Sequence, residues 1–198
     1  MPDTTALSSA RKTSTTTDLA LIATFAALIA VCSVSAALPI GLNGVPVTLQ
    51  VFGVFLAGAV LGMKRGFFAV LLYLAVGAAG LPIFAGGSSG IAPFSGPTSG
   101  YLVSFPIAAA LIGFVVERAR HQGLAVTAIV VAVAGVIGEV VVYALGALGF
   151  IAFASMTTSA AFKGALTYVP ADLIKLVAVA IVAAAVHRAF PALLAKRG

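Results

Sequence analysis

Charged residues are scarce in this chain: they make up 8% of its 198 residues, whereas hydrophobic residues make up 62%. So little charge excludes an ordinary soluble domain and indicates an integral membrane protein. Cys32 is the only cysteine, which excludes an intramolecular disulfide and a thiolate metal cluster. The sequence also lacks a Gly-rich loop ending in Gly-Lys-Ser/Thr and a His/Cys/Asp cluster at metal-ligand spacing. It therefore predicts no enzyme, no ATP hydrolysis by this chain alone, no metal and no cofactor.

Long apolar runs dominate what is present. Six of them approach the roughly 20 residues that a helix needs to cross a bilayer, at residues 19–38, 45–62, 66–84, 98–116, 124–150 and 167–187. The predicted fold class is an all-α integral membrane protein with six transmembrane helices. Residues 18–190 would form this membrane domain, between a flexible polar tail at residues 1–17 and a short basic tail at residues 191–198.

The basic residues predict how the helices are oriented. Nine of the eleven lysines and arginines fall on one side of the predicted helices, which the positive-inside rule makes the cytoplasmic side. Both termini would then be cytoplasmic, and the loops at residues 39–44, 80–97 and 151–166 would lie outside, with Lys163 as an exception. Because the basic residues are dispersed next to apolar runs, they indicate contact with the lipid bilayer and no nucleic-acid partner.

Residues 80–105 interrupt the apolar pattern. This stretch holds six glycines, three prolines and four aromatic residues without a single charge. Glycine and proline oppose helix formation, while a disordered linker carries more charge and fewer apolar residues. An ordered, irregular segment near a membrane is tolerated where it is buried in protein or lines a wet cavity. We therefore expect it to form part of a ligand site.

Three ionisable residues fall within the predicted helices: Glu139, Asp172 and Lys175. Each would cost about 2.5 to 3.5 kcal/mol at mid-membrane, so each needs a partner, water or a place near the interface. Asp172 and Lys175 share a helix face at a spacing of three, either as a simple salt bridge or as ligand-binding groups. Glu139, one turn before Tyr143, either faces the same cavity or bonds a neighbouring helix. A proton-coupled carrier or channel that uses Glu139, Asp172 and Lys175 is the alternative function.

Small residues recur at a spacing of four in the first helix, where Ala23 precedes Ala27 and Ala26 precedes Ala30. Such spacing permits close approach between helices. It indicates either packing within this chain or a docking face for another membrane protein.

Three blocks of sequence resemble the BioY family, the biotin-specific S components of energy-coupling factor (ECF) transporters. Residues 80–105 read GLPIFAGGSSGIAPFSGPTSGYLVSF, similar to the family's GLPVFAGG followed by GPTxGYLxGF. Residues 41–52 read GLNGVPVTLQVF, and residues 169–176 read VPADLIKL, similar to the family's GPVPVTLQTF and P-x-D-x-x-K. Ser104 stands where the family commonly has glycine.

The resemblance implies an ECF S-component fold in the cytoplasmic membrane of a prokaryote, with biotin bound at the outer side under the first and third loops. It implies that Asp172 and Lys175 hold the polar groups of the ligand beside the loop residues Phe84, Gly86, Gly87, Phe94, Gly96, Thr98 and Tyr101. It also implies a transmembrane coupling subunit, which would dock on Ala23, Ala27 and their neighbours, and two ATPase subunits. An S component for a different small vitamin stays open.

Overall fold

The structure, a computed structural model, describes residues 15–35, 37–38, 46–119 and 123–194 and is almost entirely helical there. The helices are α1 (Thr15–Ser35), α2 (Gln50–Ala78), α3 (Ser99–Arg118), α4 (Leu124–Phe153), α5 (Thr158–Ala165) and α6 (Val169–Ala189). Two short strands, β1 (Ala37–Leu38) and β2 (Val47–Thr48), pair antiparallel between α1 and α2. The predicted first loop at residues 39–44 and the basic residues Arg11, Lys12, Arg120, Lys196 and Arg197 lie outside the described residues.

Five helical stretches of the described chain are long and apolar enough to cross a membrane: α1, α2, α3, α4 and the continuous stretch of α5 and α6. The prediction of six separate helices needs one correction. The predicted helices at residues 45–62 and 66–84 belong to a single element, α2, which is broken at Gly62. No loop separates the two parts of α2 before and after Gly62, here called its two arms. They therefore form one helical stretch, although the chain reverses direction within it.

Gly62 reverses the chain because its backbone has φ 82° and ψ −178°, a conformation that glycine adopts without strain. A Cβ added at Gly66 would lie 2.8 Å from the Cα of Gly58, although eight residues of straight helix would separate the two by about 12 Å. At the other end of the element, the Gln50 side chain donates to the Tyr73 hydroxyl at 2.8 Å. The two arms of α2 therefore run antiparallel, and the element passes through the bundle twice.

The break frees backbone groups that neighbouring helices satisfy. The Met63 N–H donates to Glu117 Oε1 on α3 at 3.0 Å, and His187 on α6 donates its Nε2 proton to the Ala59 carbonyl at 2.8 Å. His187, near the end of α6, thus makes an interhelical contact. Arg65, next to the break, pairs with Asp18 of α1 at 2.9 Å. The reversal is thus connected to three other helices.

The core forms where α2 packs on α1, α3 and α6, and where α4 packs on α3 and α6. Glycines allow the closest of these contacts: a Cβ added at Gly58 would overlap the Ala109 backbone, and one added at Gly113 would overlap the backbone at Gly62. The small residues of α2 therefore act inside the chain, where close backbone approach replaces side-chain packing.

The glycine-rich stretch is irregular over residues 79–98 and becomes α3 at Ser99. It contains two turns of 3-10 helix, Ala85–Gly87 and Ala92–Ser95. The expectation of an ordered non-helical segment is thus confirmed. The expected loop at residues 151–166 differs, because Thr158–Ala165 forms α5, whose first turn is capped by the Thr157 side chain.

Candidate ligand-binding site

The first turns of α6 carry the charged pair expected from the sequence. Pro170 lies in the first turn of this helix, where its missing N–H is not needed. Lys175 Nζ lies 2.6 Å from Asp172 Oδ1, and the two side chains are 10% and 5% exposed. Tyr143 of α4 donates its hydroxyl to Asp172 Oδ2 at 2.9 Å. Both oxygens of the aspartate are therefore engaged, and each charge of the pair is compensated.

A cavity of about 260 Å³ opens beside this pair. It lies slightly below the usual range of about 300 to 1,000 Å³ for small-molecule pockets. Its walls come from β2, the start of α2, the glycine-rich stretch, α3, α4, the turn before α6, and α6 itself. Five of the predicted site residues line it: Phe84, Thr98, Tyr101, Asp172 and Lys175.

Two polar residues, one at the end of β2 and one at the start of α2, form a further wall that sequence reasoning did not assign to the site. Thr48 and Gln50 line the cavity, and Thr48 Oγ1 accepts from the Gln50 N–H at 3.2 Å. The Tyr73 hydroxyl, which receives the Gln50 amide, lies 3.1 Å from Ser33 Oγ and 3.2 Å from the Ile83 carbonyl. This network ties α1 and both arms of α2 to the glycine-rich stretch. In the sequence, the available signal for this network was a glutamine and a tyrosine inside apolar runs.

Phe84 connects the cavity wall to the core. Its ring makes edge-to-face contacts with Tyr73 at 5.5 Å and with Phe94 at 5.8 Å between centroids. Only a glycine fits at position 77, because a Cβ there would overlap the Phe84 ring. Phe84 is thus held in place by α2, whereas Phe94 lies behind it and is not among the lining residues.

Tyr101 lines the cavity and also carries a buried hydroxyl. Its ring packs edge-to-face on Phe150 and Tyr168, at centroid distances of 5.8 Å and 6.0 Å, and faces Gly146 of α4. Its buried hydroxyl finds no hydrogen-bond partner in the described part of the chain. An unsatisfied buried hydroxyl costs about 1 to 3 kcal/mol. Tyr168, which also lines the cavity, was not identified from the sequence.

The loop glycines shape the wall without lining it. Gly86 and Gly87 have φ of 67° and 75°, values that residues with a side chain rarely adopt, and a Cβ at either would meet no atom within 4 Å. Their neighbours Ala85 and Ser88 line the cavity, whereas Gly86, Gly87 and Gly96 do not. The requirement for glycine at 86 and 87 is conformational here. Contact of these glycines with a ligand stays a prediction.

Residues 86–90 also spell Gly-x-Ser-x-Gly, the pattern of a hydrolase nucleophile turn. That motif needs a strand before the serine and a helix after it. Here the serine lies just after one turn of 3-10 helix, and its hydroxyl donates to the Ala85 carbonyl at 3.0 Å. The surroundings of Ser88 are not those of a nucleophile.

Glu139 lies on α4 one turn before Tyr143. It is 7% exposed, and neither carboxyl oxygen is in hydrogen-bonding geometry with a partner among the described residues. Neither Glu139 nor Tyr143 lines the cavity. Tyr143 acts on the site through Asp172, and direct contact of Glu139 with a ligand stays a prediction.

The alanines of α1 divide between two environments. Ala26 belongs to the buried core and Ala30 is half-buried, while Ala23 and Ala27 are exposed. Of the predicted docking residues, only Ala23 and Ala27 present their side chains on the outer face of the bundle.

The fold is an apolar helical bundle, and its small cavity is lined by aromatic side chains and one ion pair. These features define a substrate-binding membrane protein. A family model described as the BioY family matches residues 5–192. The chain belongs to the BioY family.

Similar proteins agree with this assignment. The chain is 42% identical to a biotin transporter BioY of Rhodobacter capsulatus over 190 residues, which cover 91% of this chain and 98% of the relative. It is 38% identical to a biotin transporter BioY of Rhizobium etli over 184 residues, with coverages of 91% and 98%. The structure is similar to the crystal structure of an S-component for biotin from an ECF-type ABC transporter, with a TM-score of 0.78 and 29% identity. That match covers 87% of this chain and 92% of the other. The S-component fold is thereby confirmed, as is the prediction of a membrane transport protein rather than an enzyme.

Proposed function

We propose that this chain binds biotin in the cavity beside Asp172 and Lys175 and serves as the substrate-specific component of an ECF-type transporter. The observation that carries the proposal is a buried ion pair at the wall of a small aromatic cavity, in a chain of the BioY family. An ion pair beside such a cavity offers one acceptor and one donor to a neutral polar ring. Energy for uptake then comes from partner ATPases.

The chemistry of biotin matches these walls. Its ureido ring has two N–H donors, which suit Asp172, and a carbonyl, which suits Lys175. Charge-assisted hydrogen bonds in a dry site are strong. The apolar thiophane ring suits the rings of Phe84 and Tyr101. A ligand that lacks the N–H groups would make no charge-assisted hydrogen bond to Asp172 and should bind more weakly.

Native mass spectrometry of the detergent-purified chain, followed by titration with biotin, tests the proposal. One bound biotin per chain is expected, and no binding at micromolar concentration would refute it. Asp172→Asn removes the charge from the acceptor and should weaken binding roughly tenfold or more. Asp18→Asn is the matched control, because Asp18 pairs with Arg65 beside the break in α2 and is not among the residues that line the cavity. Equal effects of the two substitutions would assign Asp172 to stability alone.

The proposal includes the partners and the site of action. A transmembrane coupling subunit would dock on the exposed face at Ala23 and Ala27, and two ATPase subunits would join it. The complex would lie in the cytoplasmic membrane of a prokaryote, with the cavity facing outward.

Single cysteines introduced at Ser88 and Glu117, in a Cys32→Ser background, test the orientation. They are labelled with a reagent that does not cross membranes. Labelling at position 88 alone is expected in intact cells, and labelling at position 117 alone would invert the topology.

A further inference from the structure

Glu139 is a buried acid that the site described so far does not use. It is 7% exposed, and both of its carboxyl oxygens lack a hydrogen-bond partner in the described chain. A buried polar group without a partner is costly in a protein interior and more so in a membrane. Such a group in a folded protein calls for an explanation.

The hydrogen bonds of Asp172 suggest a role for Glu139. One oxygen receives Lys175 at 2.6 Å and the other receives the Tyr143 hydroxyl at 2.9 Å. A ligand N–H that approaches Asp172 therefore meets a carboxylate whose oxygens are already engaged by Lys175 and Tyr143. If the tyrosine gives way, its hydroxyl needs a new acceptor, because an unpaired buried donor would weaken binding.

Glu139 is placed to be that acceptor. It precedes Tyr143 by four residues on α4, a spacing at which two helical side chains are neighbours. A carboxyl group accepts a hydrogen bond from a hydroxyl in either protonation state. Glu139 and Tyr143 both lie outside the cavity wall, so neither needs to touch the ligand.

We infer that Glu139 is the second acceptor of the Tyr143 hydroxyl, which turns from Asp172 to Glu139 when a ligand N–H takes its place on Asp172. The inference rests on the proposed binding of a ligand with N–H donors at Asp172. Glu139 and Tyr143 are then positioning residues that free the aspartate for ligand without leaving a buried donor unpaired.

A double-mutant cycle read by biotin titration of the purified full chain tests this role. Glu139→Leu removes the acceptor and should raise the Kd about tenfold, because the displaced hydroxyl stays unpaired. In a Tyr143→Phe background there is no hydroxyl to place, so adding Glu139→Leu should change the Kd less than threefold. Non-additivity of this kind isolates the coupling between the two side chains.

Glu139→Gln supplies the conservative comparison, because its amide oxygen still accepts a hydrogen bond. It should recover most of the affinity that Glu139→Leu loses. Val140→Leu, at an adjacent position that is 63% exposed, controls for a general effect of leucine on α4. Retained helical content and a single elution peak show that each variant is folded.

The outcomes separate the two proposals. If the unmodified chain binds no biotin, the proposed function fails. If it binds biotin but Glu139→Leu weakens binding equally with tyrosine and with phenylalanine at position 143, only this inference fails. Failure of Glu139→Gln to recover affinity would also refute it, since the role then needs more than an acceptor.

Discussion

Replacing Lys175 by methionine tests whether the ion pair on α6 stabilises the fold in addition to binding the ligand. The side chains of Lys175 and Asp172 are 10% and 5% exposed, so solvent screens their attraction little. Breaking a buried pair by removing one partner costs about 3 to 5 kcal/mol. Because Tyr143 still donates to the aspartate, we expect the lower end, about 3 kcal/mol.

The assay is thermal unfolding of the purified chain in detergent, followed by circular dichroism. A loss of about 3 kcal/mol corresponds to a fall in Tm of about 6 to 12 °C for a protein of this size. The double variant Asp172→Leu with Lys175→Met carries neither charge of the pair and should recover most of the Tm, although it should not bind biotin. A Tm within about 1 °C of the unmodified chain for Lys175→Met would refute the reasoning. So would a double variant less stable than the single one.

Three further predictions use matched small residues. Gly77→Ala should lower both the Tm and biotin affinity, because the new Cβ overlaps the Phe84 ring. The new Cβ of Gly86→Ala meets no atom, so this substitution should cost only about 1 kcal/mol of backbone strain, as measured by thermal unfolding. Ala27→Leu, on an exposed position, should leave biotin affinity unchanged and reduce uptake by the complete transporter in cells. Ala26→Leu, at a position 7% exposed, should instead lower the Tm by overpacking the core, and equal stability of the two leucine variants would contradict this division of α1.

Much of the fold followed from the sequence because the membrane restricts what a chain can do. Apolar runs must become helices there, so their positions were predictable within a few residues. The pair on α6 was also predictable, since two opposite charges three residues apart in an apolar run compensate each other. Pro170 lies in the first turn of that helix, a position at which proline is tolerated.

The remaining features depended on contacts that no local pattern encodes. The loop-free reversal at Gly62 needs Glu117 and His187 to satisfy the freed backbone groups, and these residues are distant in sequence. Tyr168 reaches the cavity because the turn before α6 packs against Tyr101. Ala26 is buried and Ala27 is exposed because of the rotation of α1 about its axis. Small residues recur on both faces of this helix, so the sequence pattern does not determine that rotation.

The reversal within α2 has a consequence for the surrounding lipid. At 1.5 Å per residue, the arms at residues 50–62 and 63–78 are about 20 Å and 24 Å long. The hydrocarbon core of a bilayer is about 30 Å thick. Only the second arm presents large apolar side chains on the outside of the bundle, among them Phe68, Leu71 and Leu72. A helix shorter than the hydrocarbon core is accommodated by local thinning of the bilayer. The membrane should therefore be thinner beside this arm than beside α4, and the stability of the chain should depend on the acyl-chain length of its lipids.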